Sequence, residues 1–378
     1  MGQAFDTKSV HLSKKFNQDL HSKTTPIYQT SAFKFKDLDD IEKFYAGEKE
    51  YLYSRVGNPN PDELAEAVAE LEGAPAGLAS GSGLSAILLG ILSVAKAGDN
   101  ILCSSDIYGG TYELFAKELP DFGISVTFQD FNQDFEAAIE ENTVLLYSES
   151  VTNPLLRVEN LEYIVRIAKK HKLKTMIDNT FATPYLVNPY QTGINLVVHS
   201  ATKYLGGHSD ITAGVLVGDE ELITHAKQKG VNLGTALSPM EAWLTVRGLK
   251  TLSVRMERHV KNAQKLADAL KQHSLVDKVY YPEHVSEKGN GAIVSIDITE
   301  SCNVETFFKV LGWVKIVPTL AGVETSVSYP IATSHRNLSK DTQQELGITK
   351  GLVRISVGIE DATDIIEAFS NAIEKAKL

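Results

Sequence analysis

This 378-residue chain has few cysteines, no long apolar run and no excess of positive charge. Each of these features excludes a class of protein. Its only two cysteines, Cys103 and Cys302, cannot build the disulfide framework of a small secreted domain. The longest largely apolar run, residues 84–95, is too short to span a bilayer. Residues 1–12 contain no apolar signal core. We therefore expect a soluble protein of the reducing cytoplasm.

The balance of charges limits the partners of the chain. It carries 37 Lys and Arg against 48 Asp and Glu, a formal net charge of −11. Phosphate backbones and anionic membrane surfaces repel an acidic chain, so neither nucleic acid nor a membrane is expected as a partner. With 43% hydrophobic and 22% charged residues, the composition is that of a globular protein long enough for two domains.

Short apolar runs alternate with helical segments, such as residues 161–170, through the middle of the chain. This alternation predicts an α/β fold with a mostly parallel sheet and helices on both of its faces. The apolar runs are residues 101–102, 124–128, 144–147, 173–177, 196–198 and 215–217. A helix start is predicted at Asn60, where Asn60 caps, Pro61 occupies the first turn and Glu63 closes a capping box.

The two ends of the chain differ in pattern from the middle. The first fifty residues are polar with little periodicity, so we expect an arm that packs on a neighbouring subunit. Residues 239–273 predict one or two long amphipathic helices, and the later apolar runs alternate with helices as in a smaller α+β domain. These later runs are residues 292–298, 314–317 and 352–357. The predicted units are the arm (1–46), a large domain (47–245) and a C-terminal domain (246–378).

The strongest chemical signal lies in residues 197–210, where an apolar run ends in two hydroxyl residues, one lysine and a glycine turn. An amine at such a strand-to-loop edge, here Lys203, can form a Schiff base with a carbonyl cofactor. The hydroxyls of Ser200 and Thr202 can hold a nearby phosphate. Most lysines are solvated surface charges, so this interpretation depends on what surrounds Lys203.

A second signal lies upstream, where the apolar run 173–177 ends in Asp178. Ligands bind at the carboxyl ends of strands in open α/β sheets. An aspartate at that edge can pair with the pyridine nitrogen of pyridoxal 5′-phosphate (PLP), keep it protonated and so make the ring an electron sink. Aspartate after a strand also begins turns, but its combination with Lys203 favours the cofactor interpretation.

Motifs spread over nearly the whole chain match one family. They are residues 25–31, 53–59, 82–86, 108–111, the segments around Asp178 and Lys203, and residues 352–361. The chain resembles the Cys/Met-metabolism PLP-dependent enzymes, which include cystathionine lyases and synthases, methionine gamma-lyase and O-acetylhomoserine sulfhydrylase. The resemblance implies PLP as cofactor. It also implies PLP fold type I, which is aspartate aminotransferase-like, with a large, mostly parallel seven-stranded sheet domain and a smaller C-terminal α+β domain.

The phosphate of the cofactor requires a cradle of donors. Residues 80–84 form a Gly/Ser loop before a helical segment, and free amides at a helix N-terminus bind anions. The loop is neither a Walker A motif nor GxGxxG. The resemblance implies that the phosphate contacts Gly83, Leu84, Ser200 and Thr202, together with Tyr53 and Arg55 of the adjacent subunit. An arginine suits that place because its planar fork binds phosphate oxygens in pairs.

Tyr108 precedes a glycine pair in a loop from which its ring can reach an active centre. An isolated tyrosine is more often a packing residue, so its role rests on the resemblance. By that resemblance Tyr108 stacks on the pyridine ring and, when deprotonated, takes a proton from the incoming amino group. Gly110 stands where methionine gamma-lyases usually carry a cysteine, which argues against that activity.

The residues that would bind the substrate are also inferred from the resemblance. Arg354 interrupts an apolar strand-like segment, and the resemblance implies that it binds the substrate α-carboxylate with help from Asn153. Substrate contacts are also expected from Tyr53, Glu324 and Thr325. The position of Glu324 is associated with gamma chemistry in several relatives, although some beta-lyases are similar there, and serine is commoner at the position of Thr325. Residues 281–291 look shortened relative to the family. No metal is expected.

These matches imply an elimination in which Lys203 removes the α-proton of an amino acid. The predicted enzyme is a PLP-dependent carbon–sulfur lyase of transsulfuration acting on cystathionine, by beta elimination to pyruvate or gamma elimination to 2-oxobutyrate. Three alternatives stay open: a gamma-replacement transferase of the cystathionine gamma-synthase or O-acetylhomoserine sulfhydrylase type, a methionine gamma-lyase, and a PLP-binding protein without turnover. The family leads us to expect a homotetramer, a dimer of dimers with shared active sites.

Overall fold

The computed structural model describes residues 3–12, 22–333, 336 and 347–378. The strands are β1 (Ala76–Ser80), β2 (Asn100–Ser104), β3 (Ser125–Gln129), β4 (Thr143–Glu149), β5 (Lys174–Asp178), β6 (Leu196–Ser200), β7 (Gly214–Gly218), β8 (Val276–Tyr280), β9 (Ile293–Ile298), β10 (Lys315–Ile316), β11 (Ser326–Ser328) and β12 (Leu352–Ser356). The helices are α1 (Phe5–Val10), α2 (Leu38–Tyr45), α3 (Pro59–Glu72), α4 (Gly83–Val94), α5 (Gly109–Glu113), α6 (Leu119–Asp121), α7 (Leu161–His171), α8 (Thr183–Leu186), α9 (Pro189–Thr192), α10 (Glu220–Leu233), α11 (Pro239–Leu249), α12 (Leu252–Lys271), α13 (Val304–Val310) and α14 (Ala362–Lys375). A π-helical turn, Leu114–Glu118, joins α5 to α6, and 3₁₀ turns lie at Glu136–Ala138 and Pro330–Ala332.

The large sheet has seven strands in the order β1-β7-β6-β5-β4-β2-β3. Strands β2 to β6 run parallel, and β7 is antiparallel to both of its neighbours, β6 and β1. The predicted α/β fold with a mostly parallel seven-stranded sheet is confirmed. Each of the six apolar runs assigned to this sheet became a strand, whereas β1 was not predicted, because its alanines and glycine give no apolar run.

Both faces of this sheet are buried, which explains why its strands read as continuous apolar runs. On β6, Leu196 and Val198 pack in the core on one face, while Val197 packs in the core on the other. Helix α4 contributes to the first core and α3 to the second. Carboxyl and hydroxyl groups that can meet a ligand lie at the strand ends, where Glu149, Asp178 and Ser200 are the last residues of β4, β5 and β6.

The second sheet has five strands in the order β10-β11-β12-β9-β8 and is antiparallel apart from the β10–β11 pair. Its strands share a core with α12, α13 and α14. The helical segment predicted at 239–273 is two helices, α11 and α12, with a break at Lys250 and Thr251. The domain boundary predicted at 245/246 falls inside α11 and stays a prediction.

The predicted start of α3 was wrong by two residues. The helix begins at Pro59, and the side chain of Asn58 caps it by accepting the Asn60 N–H at 3.1 Å. The sequence Asn58-Pro59-Asn60-Pro61 repeats the same cap-then-proline pattern, so a local signal cannot choose between the two positions. A tertiary contact decides, because the Asn60 side chain accepts the backbone N–H of Tyr28 at 2.8 Å.

The described part of the arm is anchored on this chain. The Thr25 hydroxyl donates to buried Glu63 at 2.7 Å, and the indole of Trp243 donates to the Thr25 carbonyl at 2.9 Å. Glu63 thus holds the arm and closes no capping box. Residues 1, 2 and 13–21 of the predicted arm lie outside the described residues, and its contact with a second subunit stays a prediction. No helix among the described residues is long and apolar enough to cross a membrane.

Candidate active site

A cavity of about 210 Å³ opens where the carboxyl ends of β4, β5 and β6 meet the segment after β10 and the strand β12. This is the edge of an open α/β sheet at which ligands bind. Most of the residues predicted for the site line this cavity: Gly83, Leu84, Tyr108, Asn153, Asp178, Ser200, Thr202, Lys203 and Arg354. The fold therefore brings together side chains that are up to 271 positions apart in the chain.

Lys203 lies in the turn that follows β6, with its side chain largely buried. Its Nζ donates a hydrogen bond to the Thr319 hydroxyl at 2.7 Å. Burial, and secondly the positive charge of Arg354, lower the pKa of the Lys203 amine to about 8. Sequence reasoning missed Thr319, because a single hydroxyl in an irregular segment carries no local signal. The amine is thus oriented, and about a tenth of it is unprotonated at pH 7, far more than for an ordinary lysine.

This pKa can be measured on protein from which any PLP has been removed. We expect the rate of acylation of Lys203, followed by mass spectrometry of its peptide, to rise with a midpoint near pH 8. Thr319→Val removes an acceptor that favours the ammonium form, so its midpoint should fall by up to about one unit. Thr319→Ser keeps the hydroxyl and serves as the control. A midpoint near the ordinary value of free lysine would contradict the burial of this amine.

The N-terminus of α4 forms one end of the cavity. Ser82 caps the helix, with its side chain accepting the Ser85 N–H at 3.1 Å. The amides of Gly83 and Leu84 have no partner within the helix, as in any first turn. A Cβ atom at Gly83 would lie 2.8 Å from the Cβ of Ser200, so only glycine lets the helix approach β6 this closely.

Ser200 and Thr202 complete this end of the cavity. The Thr202 hydroxyl bonds the backbone of Ala213, donating to its oxygen at 3.2 Å and accepting its N–H at 3.1 Å. Unpaired first-turn amides beside two hydroxyls form a donor set that fits a phosphate group. With a buried amine and a buried carboxyl in the same cavity, the residues present fit PLP.

Asp178 ends β5 on the floor of the cavity. Its Oδ1 accepts the backbone N–H of Thr180 at 2.9 Å. Burial raises the pKa of this carboxyl, and the hydrogen bonds from Thr180 act in the opposite direction. A buried carboxylate without a cationic partner favours a protonated pyridine nitrogen beside it. Asp178 is therefore suited to the edge of an aromatic cofactor.

Tyr108 lies on another wall, where it precedes α5 and remains 43% exposed. Its backbone N–H donates to Glu149 at 2.7 Å. A Cβ atom at Gly110 would lie 2.6 Å from the Tyr108 ring, so a side chain at 110 would displace that ring. The glycine at 110 thus leaves room for the Tyr108 ring in its present orientation.

Arg354 lies within β12, 3% exposed, and donates to the Asn153 side chain at 2.9 Å. Burial lowers its pKa to about 10. Within the described ranges of the chain, no carboxylate forms an ion pair with this guanidinium. A buried cation that has only an amide partner is costly, so the pair Arg354–Asn153 is suited to an anionic ligand such as a carboxylate.

Four of the predicted residues do not line this cavity. Tyr53 is 44% exposed, and the guanidinium of Arg55, stacked on its ring, donates to the Val231 carbonyl at 2.8 Å. Glu324 forms an ion pair with Lys315. Tyr53 and Arg55 were predicted for the site of a neighbouring subunit, which a single chain does not test, and the roles of Glu324 and Thr325 stay predictions.

Residues 324 and 325 follow a turn at Ala321. Ala321 has a positive φ of 71°, and its N–H donates to the Ser356 hydroxyl at 2.7 Å. The Thr325 hydroxyl then donates to Glu360 at 2.8 Å. Thr319 and Leu320, just before the turn, line the cavity instead.

Comparison with known proteins gives consistent results along the whole chain. A family model described as Cys/Met metabolism PLP-dependent enzyme matches residues 6–374. The chain is 40% identical to a cystathionine beta-lyase of Lactococcus lactis subsp. cremoris (strain MG1363), which covers 98% of both chains. It is 39% identical to a cystathionine gamma-lyase of Bacillus subtilis (strain 168), covering 93% of this chain and 94% of the relative.

Proteins named for a different reaction match as well. A Bacillus subtilis (strain 168) protein named cystathionine gamma-synthase/O-acetylhomoserine (thiol)-lyase is 36% identical, with 100% of this chain and 98% of the relative covered. Among solved structures, a Campylobacter jejuni protein superposes with a TM-score of 0.93 at 30% identity, covering 98% of this chain and 100% of the other. That protein contains N′-pyridoxyl-lysine-5′-monophosphate, a lysine joined to the cofactor.

Proposed function

The chain belongs to the family of Cys/Met-metabolism PLP-dependent enzymes, and from that premise we propose that it is a carbon–sulfur lyase of transsulfuration that eliminates a thiol from cystathionine. The family, the enzyme class and PLP as cofactor, all predicted from the sequence, are confirmed. One observation carries the finer proposal: the amine of Lys203, the guanidinium of Arg354 and the carboxyl of Asp178 line a single cavity. Relatives named cystathionine beta-lyase and gamma-lyase support the choice of substrate.

The buried guanidinium of Arg354 binds the α-carboxylate of the amino-acid substrate, with Asn153 fixing its plane. Two parallel N–H donors hold a carboxylate in one orientation, and this directs the Cα–H bond of the substrate toward Lys203. Because Arg354 is buried and has no carboxylate of its own among the described residues, the substrate supplies the missing anion.

Lys203 acts as the general base. Its pKa of about 8 leaves a usable fraction of free amine at neutral pH, and the hydrogen bond to Thr319 orients Nζ. Nζ accepts the Cα proton and can then deliver it to the leaving sulfur. The apolar side chains of Val151, Phe181 and Leu320 line the same cavity and limit the access of water.

The remaining residues hold the cofactor. PLP supplies, when bound, an electron-withdrawing ring that stabilises the carbanion formed at Cα. Asp178 keeps the pyridine nitrogen protonated, and the Tyr108 ring packs on the pyridine ring and accepts a proton from the substrate amino group. Gly83 and Leu84 amides, with the hydroxyls of Ser200 and Thr202, bind the phosphate; this is supported by the donor set at the N-terminus of α4.

The active site is proposed to be shared between subunits. Tyr53 and Arg55 are exposed and lie outside the cavity of their own chain, which supports a role in the site of a neighbour. We therefore propose a homotetramer built as a dimer of dimers. A cytoplasmic location is supported by Cys103 and Cys302, which are both unpaired.

The deciding experiment is to incubate the PLP-loaded protein with L-cystathionine and to identify the keto acid by mass spectrometry. Pyruvate means beta elimination, and 2-oxobutyrate means gamma elimination; either result supports the lyase. The second candidate is a gamma-replacement transferase, which the gamma-synthase relative favours. It would release little keto acid but would consume an activated homoserine ester when sulfide or cysteine is present, and this result would overturn the lyase.

A non-catalytic PLP-binding protein would give a third result. Its cofactor absorbance would not change on addition of any amino acid, and neither keto acid nor ester consumption would be detected. The Glu118→Gln variant, changed at an exposed residue, is the control. It shows how much the PLP content varies from one preparation to the next.

A further inference from the structure

We propose that Glu149 is a neutral carboxylic acid in the folded enzyme and acts as a positioning residue, which holds Tyr108 at the cofactor and leaves Asp178 as the one negative charge at the cofactor ring. The proposal rests on the roles proposed above for Tyr108 and Asp178. It adds a residue that sequence reasoning did not select, because one glutamate at the end of an apolar strand carries no signal of its own.

The sheet register brings Glu149 and Asp178 together. They are paired positions at the ends of the parallel strands β4 and β5, and both line the cavity. Adjacent strands lie about 4.8 Å apart, and paired side chains point to the same face. Glu149 is only 5% exposed. Two acidic side chains are therefore adjacent in a largely buried environment.

Among the described residues, neither carboxyl forms an ion pair. Arg157, which lies near this cluster, pairs with Asp106, with Nη2 at 2.9 Å from Oδ2. Among the residues that the structure describes, no Lys, Arg or His forms an ion pair with Glu149. Ionisable groups that face Glu149 from the surrounding elements are mostly acidic: Cys103, Asp106, Tyr147, Glu159 and Asp178, with Lys203 and Arg354 also lining the cavity.

Glu149 is buried and Asp178 is partly buried beside it, and two carboxylates in such a setting repel each other strongly, so one proton stays on the pair. Asp178 receives hydrogen bonds from the N–H and the hydroxyl of Thr180, and His199 also favours its charged form. Glu149 receives one N–H, from Tyr108, and faces further acids in Asp106 and Glu159. Burial first, and Asp178 second, raise the pKa of Glu149 well above its ordinary range. The proton therefore lies on Glu149.

A neutral acid has one carbonyl acceptor and one O–H donor. The oxygen Oε1 accepts the Tyr108 N–H at 2.7 Å, which fixes the residue that immediately precedes α5 and so the direction of its ring. A second negative charge at this place would compete with Asp178 for the protonated pyridine nitrogen. Protonation thus separates the two tasks: Glu149 orients Tyr108, and Asp178 carries the charge.

The test is the pH dependence of thermal unfolding of the PLP-loaded enzyme and of its Glu149→Gln variant. In the unfolded chain Glu149 ionises near its ordinary pKa, about 4.3, whereas the folded chain keeps the proton. The unfolded state then binds fewer protons, so this group lowers stability as the pH rises. The side-chain amide of the Glu149→Gln variant cannot ionise, so the variant lacks this pH dependence. We expect the Tm of the variant, relative to the parent, to rise by about 3 °C or more between pH 5 and pH 8.

Two further variants make the result specific. Glu118→Gln removes an exposed carboxyl and measures the background of the method. Asp178→Asn makes the same acid-to-amide change at the paired position, and we expect it to lower PLP retention, measured by absorbance after dialysis, at least about tenfold. A relative Tm of Glu149→Gln that stays constant or falls with pH would overturn the proposal. The proposal would also be overturned if Asp178→Asn showed the rise in relative Tm with pH and Glu149→Gln showed the loss of PLP.

Kinetics supply an independent readout of positioning. Glu149→Leu removes the acceptor for the Tyr108 N–H and should lower kcat/KM about 10- to 100-fold, whereas the amide oxygen of Glu149→Gln should recover most of that loss. Equal losses in both variants would contradict a neutral acceptor. The unfolding measurement needs no substrate, so it decides the state of Glu149 even if cystathionine proves not to be the substrate.

Discussion

Replacing Lys203 with alanine is expected to lower kcat at least about 10⁴-fold, while the protein still binds PLP without a covalent link. The reason is that Nζ is the only amine lining the described cavity and lies within hydrogen-bond distance of Thr319. Turnover and mass spectrometry after borohydride reduction measure the two effects, since the parent chain gains the mass of a pyridoxyl group and the variant does not. Lys229→Ala removes an exposed lysine and serves as the control.

Retained turnover in Lys203→Ala would refute the assignment of the base.

The same variant also tests the shared site. Arg55→Ala should weaken PLP retention, and chains carrying Arg55→Ala mixed with Lys203→Ala chains should recover part of the activity. Recovery requires that one hybrid site combine an intact Lys203 with an intact Arg55 from the neighbour. Absence of recovery, with hybrid assembly verified by native mass spectrometry, would contradict sharing between subunits.

Replacing Arg354 with methionine is the change with the second-largest expected effect. The guanidinium is buried, and removing it takes away a bidentate partner for the substrate carboxylate, so kcat/KM should fall about 10²- to 10³-fold, mainly through a higher KM. Steady-state kinetics with the accepted substrate measures the loss. Arg258→Met, at an exposed position of α12, controls for the change of residue type.

The Arg354 variant has a second signature in its pH profile. The charge of Arg354 is the second cause that lowers the pKa of Lys203, after burial. Without it the pKa of the amine rises, so the acid limb of kcat should move to higher pH. Asn153→Ala leaves the charge in place and should weaken substrate binding without moving that limb. An unchanged KM in Arg354→Met would contradict the role of Arg354 as the carboxylate site.

Several features of this protein could be predicted because their signals are local. The apolar runs became strands β2 to β7 and β12, since strands buried on both faces of a sheet require uninterrupted apolar residues. Asp178 and Lys203 were found in the same way, because Asp178 directly follows such a run and Lys203 lies in the short segment after the next one. The Gly/Ser loop at residues 80–84 precedes α4, as expected from small residues before a helical segment.

Other features failed where local signals were absent or duplicated. Strand β1 has no apolar run, and the repeated Asn-Pro pattern placed the cap of α3 at Asn60 instead of Asn58. Thr319 and Glu149 were missed because a hydroxyl or a carboxyl gains its chemistry from its neighbours in space. Glu324 and Thr325 were selected by family position alone; they do not line the cavity of this chain, and their roles stay predictions.

The sequence by itself determined the alternation of strands and helices, the lysine and aspartate at the strand ends, and the family with its cofactor. Each of these is encoded within a short stretch of the chain or in motifs that match the family. Only the tertiary structure decided which partners these residues meet: Thr319 lies 116 positions from Lys203, and Asn153 lies 201 positions from Arg354. The state of Glu149 depends on strand register and burial, because a proton is held by the charges around it and not by the residues next to it in the chain.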